Sequence, residues 1–279
     1  MSRRARATLV LALPLLGGCG GGAPLLHPAH TLPRGDVTFA AGTSGHFALG
    51  DLRRAERRLD ASHEATSAAE RRDVVQGALV RFAASPGVAP FLSGRVGLGG
   101  QNEAGLSYFG RGLRLDARHA FEWPSVALSV GAAVSGVLSR PGDEPERRNA
   151  VAPGAGLRTI ELTSLRGYGA ELPVLFGYRS SADVVKLWAG LRAGIERDLF
   201  DASVVHSPDV ALAAEGAALR AYGGALVGFS VGLSPIEVRV ELDSTYQAIH
   251  GNVTTPAGEL EGDVSGLSLT PAMAISAKF

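Results

Sequence analysis

The chain has a single cysteine, Cys19, among its 279 residues, so no intramolecular disulfide can staple it. It carries no net charge, with 27 Lys and Arg against 27 Asp and Glu, and nothing in that balance points to a nucleic-acid partner. Outside the extreme N-terminus it has no run of 18 or more apolar residues, which argues against membrane-spanning helices. Motifs of catalysis are missing too: there is no Gly-x-Ser-x-Gly, no His-Glu-x-x-His, no phosphate loop and no cysteine-based metal site. No metal or cofactor is expected, and an enzyme is the less favoured reading.

What the chain does have is alternation. From Leu165 to Leu199 the residues Tyr168, Leu172, Val174, Phe176 and Tyr178 share one parity, and Gly169, Glu171, Pro173 and Arg179 the other. After the turn residues Ser180 to Asp183, Val185, Leu187, Leu191 and Ile195 oppose Lys186, Arg192, Gly194 and Glu196. This reads as a long antiparallel hairpin with one oily face. Strands of about 15 residues suit a tilted transmembrane β-barrel, in which about 9 to 11 residues cross the hydrocarbon. The 37 glycines are spread through these strands, as they are where side chains crowd a narrow barrel.

The expected fold is all-β, an antiparallel up-and-down transmembrane barrel of about eight strands (nine or ten as alternatives), with a short N-terminal helical segment. Val88–Phe279 supplies the eight strands, one of them running from Ala104 to Phe121 with a β-bulge where its phase changes near Phe109–Gly112. Residues 36–87 form a separate unit: a strand over Asp36–Leu49, then helices from Asp51 to Ala84, with Asp51 as cap and Ser85-Pro86-Gly87 as stop. Whether strand 36–49 joins the barrel is open, as is a further strand within Gly154–Leu162. Arg53, Arg54, Arg57 and Arg58 read as a solvated helix face that could also lie on anionic headgroups. Connections after Gln101, Glu122, Ser180 and Ser234 are short; Arg140–Leu162, Phe200–Gly216 and Gly251–Gly262 read as long outer loops. That asymmetry places both barrel ends on the periplasmic side.

Residues 1–18 read as an export signal, with Arg3, Arg4 and Arg6 before the short apolar run Leu9–Leu16. Leu16-Gly17-Gly18-Cys19 resembles the lipobox of bacterial lipoproteins, which implies lipidation at Cys19 by the lipoprotein-processing enzymes. Residues 19–35, rich in Gly, Pro and His, are then expected to be a poorly ordered lipidated tether. The last strand sets Leu267, Leu269, Met273, Ile275 and Phe279 on one face, and ends on that aromatic. It resembles the C-terminal signal of bacterial outer-membrane barrels, read by the barrel-assembly machinery. Taken together, the chain is similar in architecture to the small barrels of outer-membrane proteins A and X. The resemblance implies a monomeric lipid-anchored outer-membrane protein of a Gram-negative bacterium, held in outer-membrane lipid, with a structural role or an extracellular partner met through the outer loops.

The parity facing away from lipid carries Arg95, Arg114, Asp116, Arg118, Glu171, Lys186, Arg192, Glu196, Asp198, Arg220, Glu237, Arg239, Glu241 and Asp243. Buried charges must be paired, and eight strands leave a lumen just wide enough for side chains, so an ion-paired plug with no open pore is expected. The alternatives are a narrow pore for small solutes and a lipid-modifying enzyme. For the enzyme, His250 lies near an outer rim, but Ser244 is six residues, about 20 Å, along the same strand, so Ser265 would be its nearest candidate partner. His119 reads as an interfacial residue near the periplasmic rim, and His46, His63 and His206 read as isolated.

Overall fold

The computed structural model describes residues 22–60, 65, 67–138, 159–207, 210–255 and 258–279. Ten antiparallel strands close into one up-and-down barrel. They are β1 (Val37–Ala48), β2 (Gly87–Gly99), β3 (Asn102–Tyr108), β4 (Gly112–Glu122), β5 (Val126–Leu138), β6 (Thr159–Arg179), β7 (Val185–Ser207), β8 (Val210–Leu233), β9 (Ile236–Thr255) and β10 (Gly258–Lys278). The β6–β7 hairpin has the register that the alternation implies, with Tyr178 opposite Leu187 and Ala170 opposite Ile195.

The strand count corrects the expected eight in two places. Val37–Ala48 is not a separate unit: β1 pairs with β10 on one side and β2 on the other, and so closes the ring. The supposed bulge in Ala104–Phe121 is the turn of a hairpin, β3 against β4, made at Phe109–Arg111 with Gly110 at φ +85°. A tight turn shifts the parity of apolar residues as a bulge does, which is why alternation alone could not separate them. Gly154–Leu162 adds no strand; its described residues 159–162 begin β6.

The loops are corrected as well. Phe200–Gly216 and Gly251–Gly262 are mostly strand, because β7 runs to Ser207, β8 starts at Val210, and β9 and β10 pair out to Thr255 and Gly258. Strands β6 to β10 have 20 to 24 residues and β1 to β5 only 7 to 13, so one wall of the barrel projects far beyond the other. Most of Arg140–Leu162 lies outside the described residues. Both ends of the barrel meet at the opposite rim, where Val37 and Phe279 exchange backbone hydrogen bonds of 3.0 and 2.8 Å. Phe279 also stacks edge-on against Phe39, with ring centroids 6.2 Å apart.

Between β1 and β2 the chain forms α1 (Gly50–Asp60), α2 (Ala68–Leu79) and a π-helical turn, Val80–Ala84. Ser67 and Glu70 form a reciprocal capping box that starts α2. Asp51 is not a cap; it sits in the first turn of α1 and pairs with Arg54. Ser85 ends the helical run in the left-handed region at φ 45°. The helices do not stand apart from the barrel. Leu52, Leu59, Val75, Leu79 and Phe82 are buried in one cluster with Phe200, Val204, Ile249 and Val253, on the inner face of the projecting wall. Gly251 permits this approach, since a Cβ there would lie 2.6 Å from Leu79 Cδ2. Arg53, Arg54, Arg57 and Arg58 remain on the exposed face.

The wall itself is inside-out. Leu187, Leu191 and Ile195 on β7, and Ile236, Val238 and Leu242 on β9, are exposed, while their neighbours Arg192, Glu196, Glu241 and Asp243 are buried. On the projecting part the outward residues turn polar, with Arg197, Asp201, His250, Asp263, Glu261 and Glu259 exposed.

Candidate functional site in the lumen

Ten strands enclose more space than side chains alone can fill, and two pieces of the chain itself occupy it. The helices fill the lumen at the projecting end. From the other rim, residues 22–34 thread inward, and Pro24 to His30 are buried. This corrects the expectation of a poorly ordered tether, at least from Gly22 onward. Pro24, Pro28 and Pro33 each fix a φ angle and together remove three N–H donors that the lumen would otherwise have to satisfy, and the chain turns at Leu26, where φ is +49°. Gly97 makes room for it, because a Cβ there would lie 2.0 Å from the Pro33 carbonyl oxygen.

The barrel side chains hold this segment chiefly by its main chain. Glu241 accepts from the N–H groups of Leu25 and Leu26 at 2.7 and 2.9 Å. Glu122 accepts from Thr31 N–H and hydroxyl at 2.6 and 2.7 Å, and Glu103 from Leu32 N–H at 2.9 Å. Carbonyls meet cations instead. Arg192 donates to Ala23 at 2.9 Å, Arg239 to Leu26 at 3.3 Å, and Arg118 to Pro28 and to His30, the latter at 3.0 Å. Arg114 reaches the carbonyls of Ala23 and Pro24, both at 3.3 Å. Two apolar anchors complete the contact: Leu25 packs with Trp188, Leu175 and Leu226, and Leu26 with Phe91, Phe109 and Ala274.

The fourteen charged residues chosen by parity all lie on strands of this lumen. Near the short wall Arg95 pairs with Glu103 and with Asp116 at 2.6 Å, and Arg118 pairs with Glu103 at 3.0 Å. Arg114 lies 3.8 Å from Asp116 and 4.0 Å from Glu171. Further round, Arg192 bridges Glu171 and Asp243, Arg220 reaches Glu196 at 2.6 Å, and Lys186, Glu237 and Arg239 form a group near the turns. Asp198 is fully buried beside Glu196. Tyr222 links the clusters, donating to Glu171 at 2.8 Å beneath the guanidinium groups of Arg192 and Arg220.

Three members escaped the parity reading because each sits at a strand end or in a turn: Glu103, Glu122 and Arg111. Arg111 joins the helical plug to the network. It pairs with Glu196 at 2.5 Å and donates to the carbonyls of Phe82 and Ala83, both at 2.9 Å. His46 is not isolated either; its ring bonds Thr270 at 2.9 Å and Gln247 at 3.0 Å within the lumen. Between the two plugs remains a cavity of about 40 Å³, lined by Gly22, Ala84, Arg111, Arg220 and Tyr222 among others. That is room for a few waters.

His250 and Ser265 lie on the outer face of the projecting wall. His250 pairs with Asp263 across the strands, whereas Ser265 accepts a 2.9 Å hydrogen bond from Tyr246. The geometry thus gives His250 an acidic partner and gives Ser265 a different neighbour. Cys19 lies outside the described residues.

No family model and no curated protein matches the chain. Among solved structures, it is similar to Neisserial surface protein A at 12% identity, covering 88% of this chain and all of that one, with a TM-score of 0.30. It is similar to the outer membrane protease OmpT of Escherichia coli at 9% identity over 90% and 100% of the two chains, TM-score 0.43. The attachment invasion locus protein Ail of Yersinia pestis matches at 10% identity over 88% and 99%, TM-score 0.27. Scores this low carry no argument about activity, and the architecture rests on the strand pairing of the chain itself.

Proposed function

We propose that this chain is an integral outer-membrane β-barrel of a Gram-negative bacterium, its lumen closed by the helical plug, with a structural or surface-interaction role. One observation carries the reading: the exposed face is a belt of Leu, Ile, Val and Phe, while the ion pairs are inside. In water such a surface would be an aggregation hazard, and in acyl chains it is the stable arrangement. The projecting β6–β10 wall and the basic face of α1 are the proposed contact surface for an extracellular partner. Phe279 at the opposite rim is the proposed signal for the assembly machinery. Planar-bilayer recording of purified protein tests the seal. No stable conductance is expected, and large, steady channels would favour the narrow-pore alternative.

Lipidation at Cys19 is part of this proposal, and it is coupled to the lumen. Three residues of chain reach at most about 11 Å, and the carbonyl of Gly22 accepts a 2.8 Å hydrogen bond from Ser44 inside the barrel. Acyl chains do not belong among those arginines and carboxylates, so a lipid on Cys19 requires residues 22–34 to withdraw. Acyl labelling, read together with protease access to residues 22–34, tests both at once. The lipid-modifying alternative has the His250–Asp263 pair in its favour. Lipid hydrolysis by wild type but not by His250→Ala would support it.

A further inference from the structure

The contacts to residues 22–34 divide by chemistry in a way that a merely packed plug does not need. Carboxylates of the barrel meet N–H groups at Leu25, Leu26, Thr31 and Leu32. Guanidinium groups and one hydroxyl meet carbonyls at Gly22, Ala23, Pro24, Leu26, Pro28 and His30. Among the described residues, Thr31 is the one member of the segment whose side chain hydrogen-bonds the barrel, so most of the recognition is of the main chain. Most of the groups that supply it, among them Glu241, Glu103, Arg118, Arg192 and Arg239, are at least nine-tenths buried, and Glu122 near the rim is half-buried. Among the described residues Glu241 makes no ion pair, and its other donor is the Trp188 indole at 3.0 Å.

We infer that the lumen is a binding track for a proline-spaced peptide with two adjacent leucine anchors, turned at the second of them where Leu26 has φ +49°, and that residues 22–34 occupy it in cis. Prolines at about every fourth position suit such a ligand, since a chain with fewer free N–H groups enters a charged lumen at lower desolvation cost. Leu25 and Leu26 project to opposite walls, into the Trp188 and Phe91 clusters, which fixes the register of any occupant. The segment joins the barrel through Gly35, an exposed turn residue at φ +87° with nothing within 4 Å of its Cβ position. One cleavage there converts the occupant from covalent to free.

The test uses the full chain folded in detergent micelles, with a protease recognition sequence inserted at Gly35. After cleavage, a dye-labelled synthetic peptide of residues 22–34 is added in excess. The expected result is saturable 1:1 uptake that unlabelled peptide reverses. A peptide with both leucines changed to serine should bind at least about tenfold more weakly, given the apolar burial it forgoes. A second variant lacking residues 22–34 should take up the same peptide directly. No uptake by the cleaved protein, or equal uptake of the leucine and serine peptides, would overturn the inference and leave a fixed plug. Uptake concerns the lumen alone, so its failure leaves the membrane placement of the outer face untouched.

Discussion

Glu241 shows how the lumen is held at the scale of single residues. Its side chain is 1% exposed, accepts from three N–H groups and, among the described residues, makes no ion pair. Charge-assisted bonds of this kind are the strong ones, and removing the acceptor strands buried donors at about 1–3 kcal/mol each. Glu241→Ala is therefore expected to lower the unfolding midpoint and expose residues 22–34 to protease, with Glu241→Gln between it and wild type. Unchanged midpoint and protection in both variants would contradict this. His250 makes a second prediction, on the part of β9 that projects beyond the apolar belt. Its hydrogen bond to Asp263 raises its pKa above the ordinary value. The pair thus contributes below the unfolded pKa and loses that contribution as pH rises through the folded one. An NMR titration should find His250 above an ordinary histidine, and Asp263→Asn should return it. The lumen charges were legible in the sequence because parity separates inside from outside. Glu103, Glu122 and Arg111 were not, since parity lapses at strand ends and turns.

At the scale of elements, the helices between β1 and β2 behave as a stopper rather than an independent unit. Leu79 is fully buried and meets the wall at Gly251, where no side chain intervenes. Leu79→Arg would place an unpaired cation in that apolar contact, so the helices should detach while the ring of strands stays closed. Hydrogen exchange should quicken over residues 50–84 and stay slow in β7 and β9; equal loss of protection in both would mean that the barrel needs its stopper to form. The hairpin β6–β7 was legible residue by residue because its alternation is long and unbroken. In sequence alone the β3–β4 turn is indistinguishable from a bulge, and the threaded segment from a tether. In both cases the deciding contacts are tertiary: Gly-, Pro- and His-rich chain has no periodicity of its own, and the barrel's carboxylates and arginines give it a fixed place.

At the scale of the whole molecule, closure with ten strands, an oily exterior and two internal plugs form one consistent arrangement. A wider ring needs more filling than side chains provide, and the chain supplies that filling from its own N-terminal third. The inversion of the soluble pattern is the central claim. Two residues three apart on β7 test it, because Leu191 is 66% exposed on the outer face and Trp188 is 2% exposed in the lumen. Single-tryptophan proteins, one keeping Trp188 with Trp123→Phe and the other carrying Leu191→Trp with Trp123→Phe and Trp188→Phe, would be reconstituted into vesicles of brominated lipid. Strong quenching at position 191 and little at Trp188 is the expected result. Equal quenching at the two positions, or none at 191 because the protein stays in solution, would contradict it.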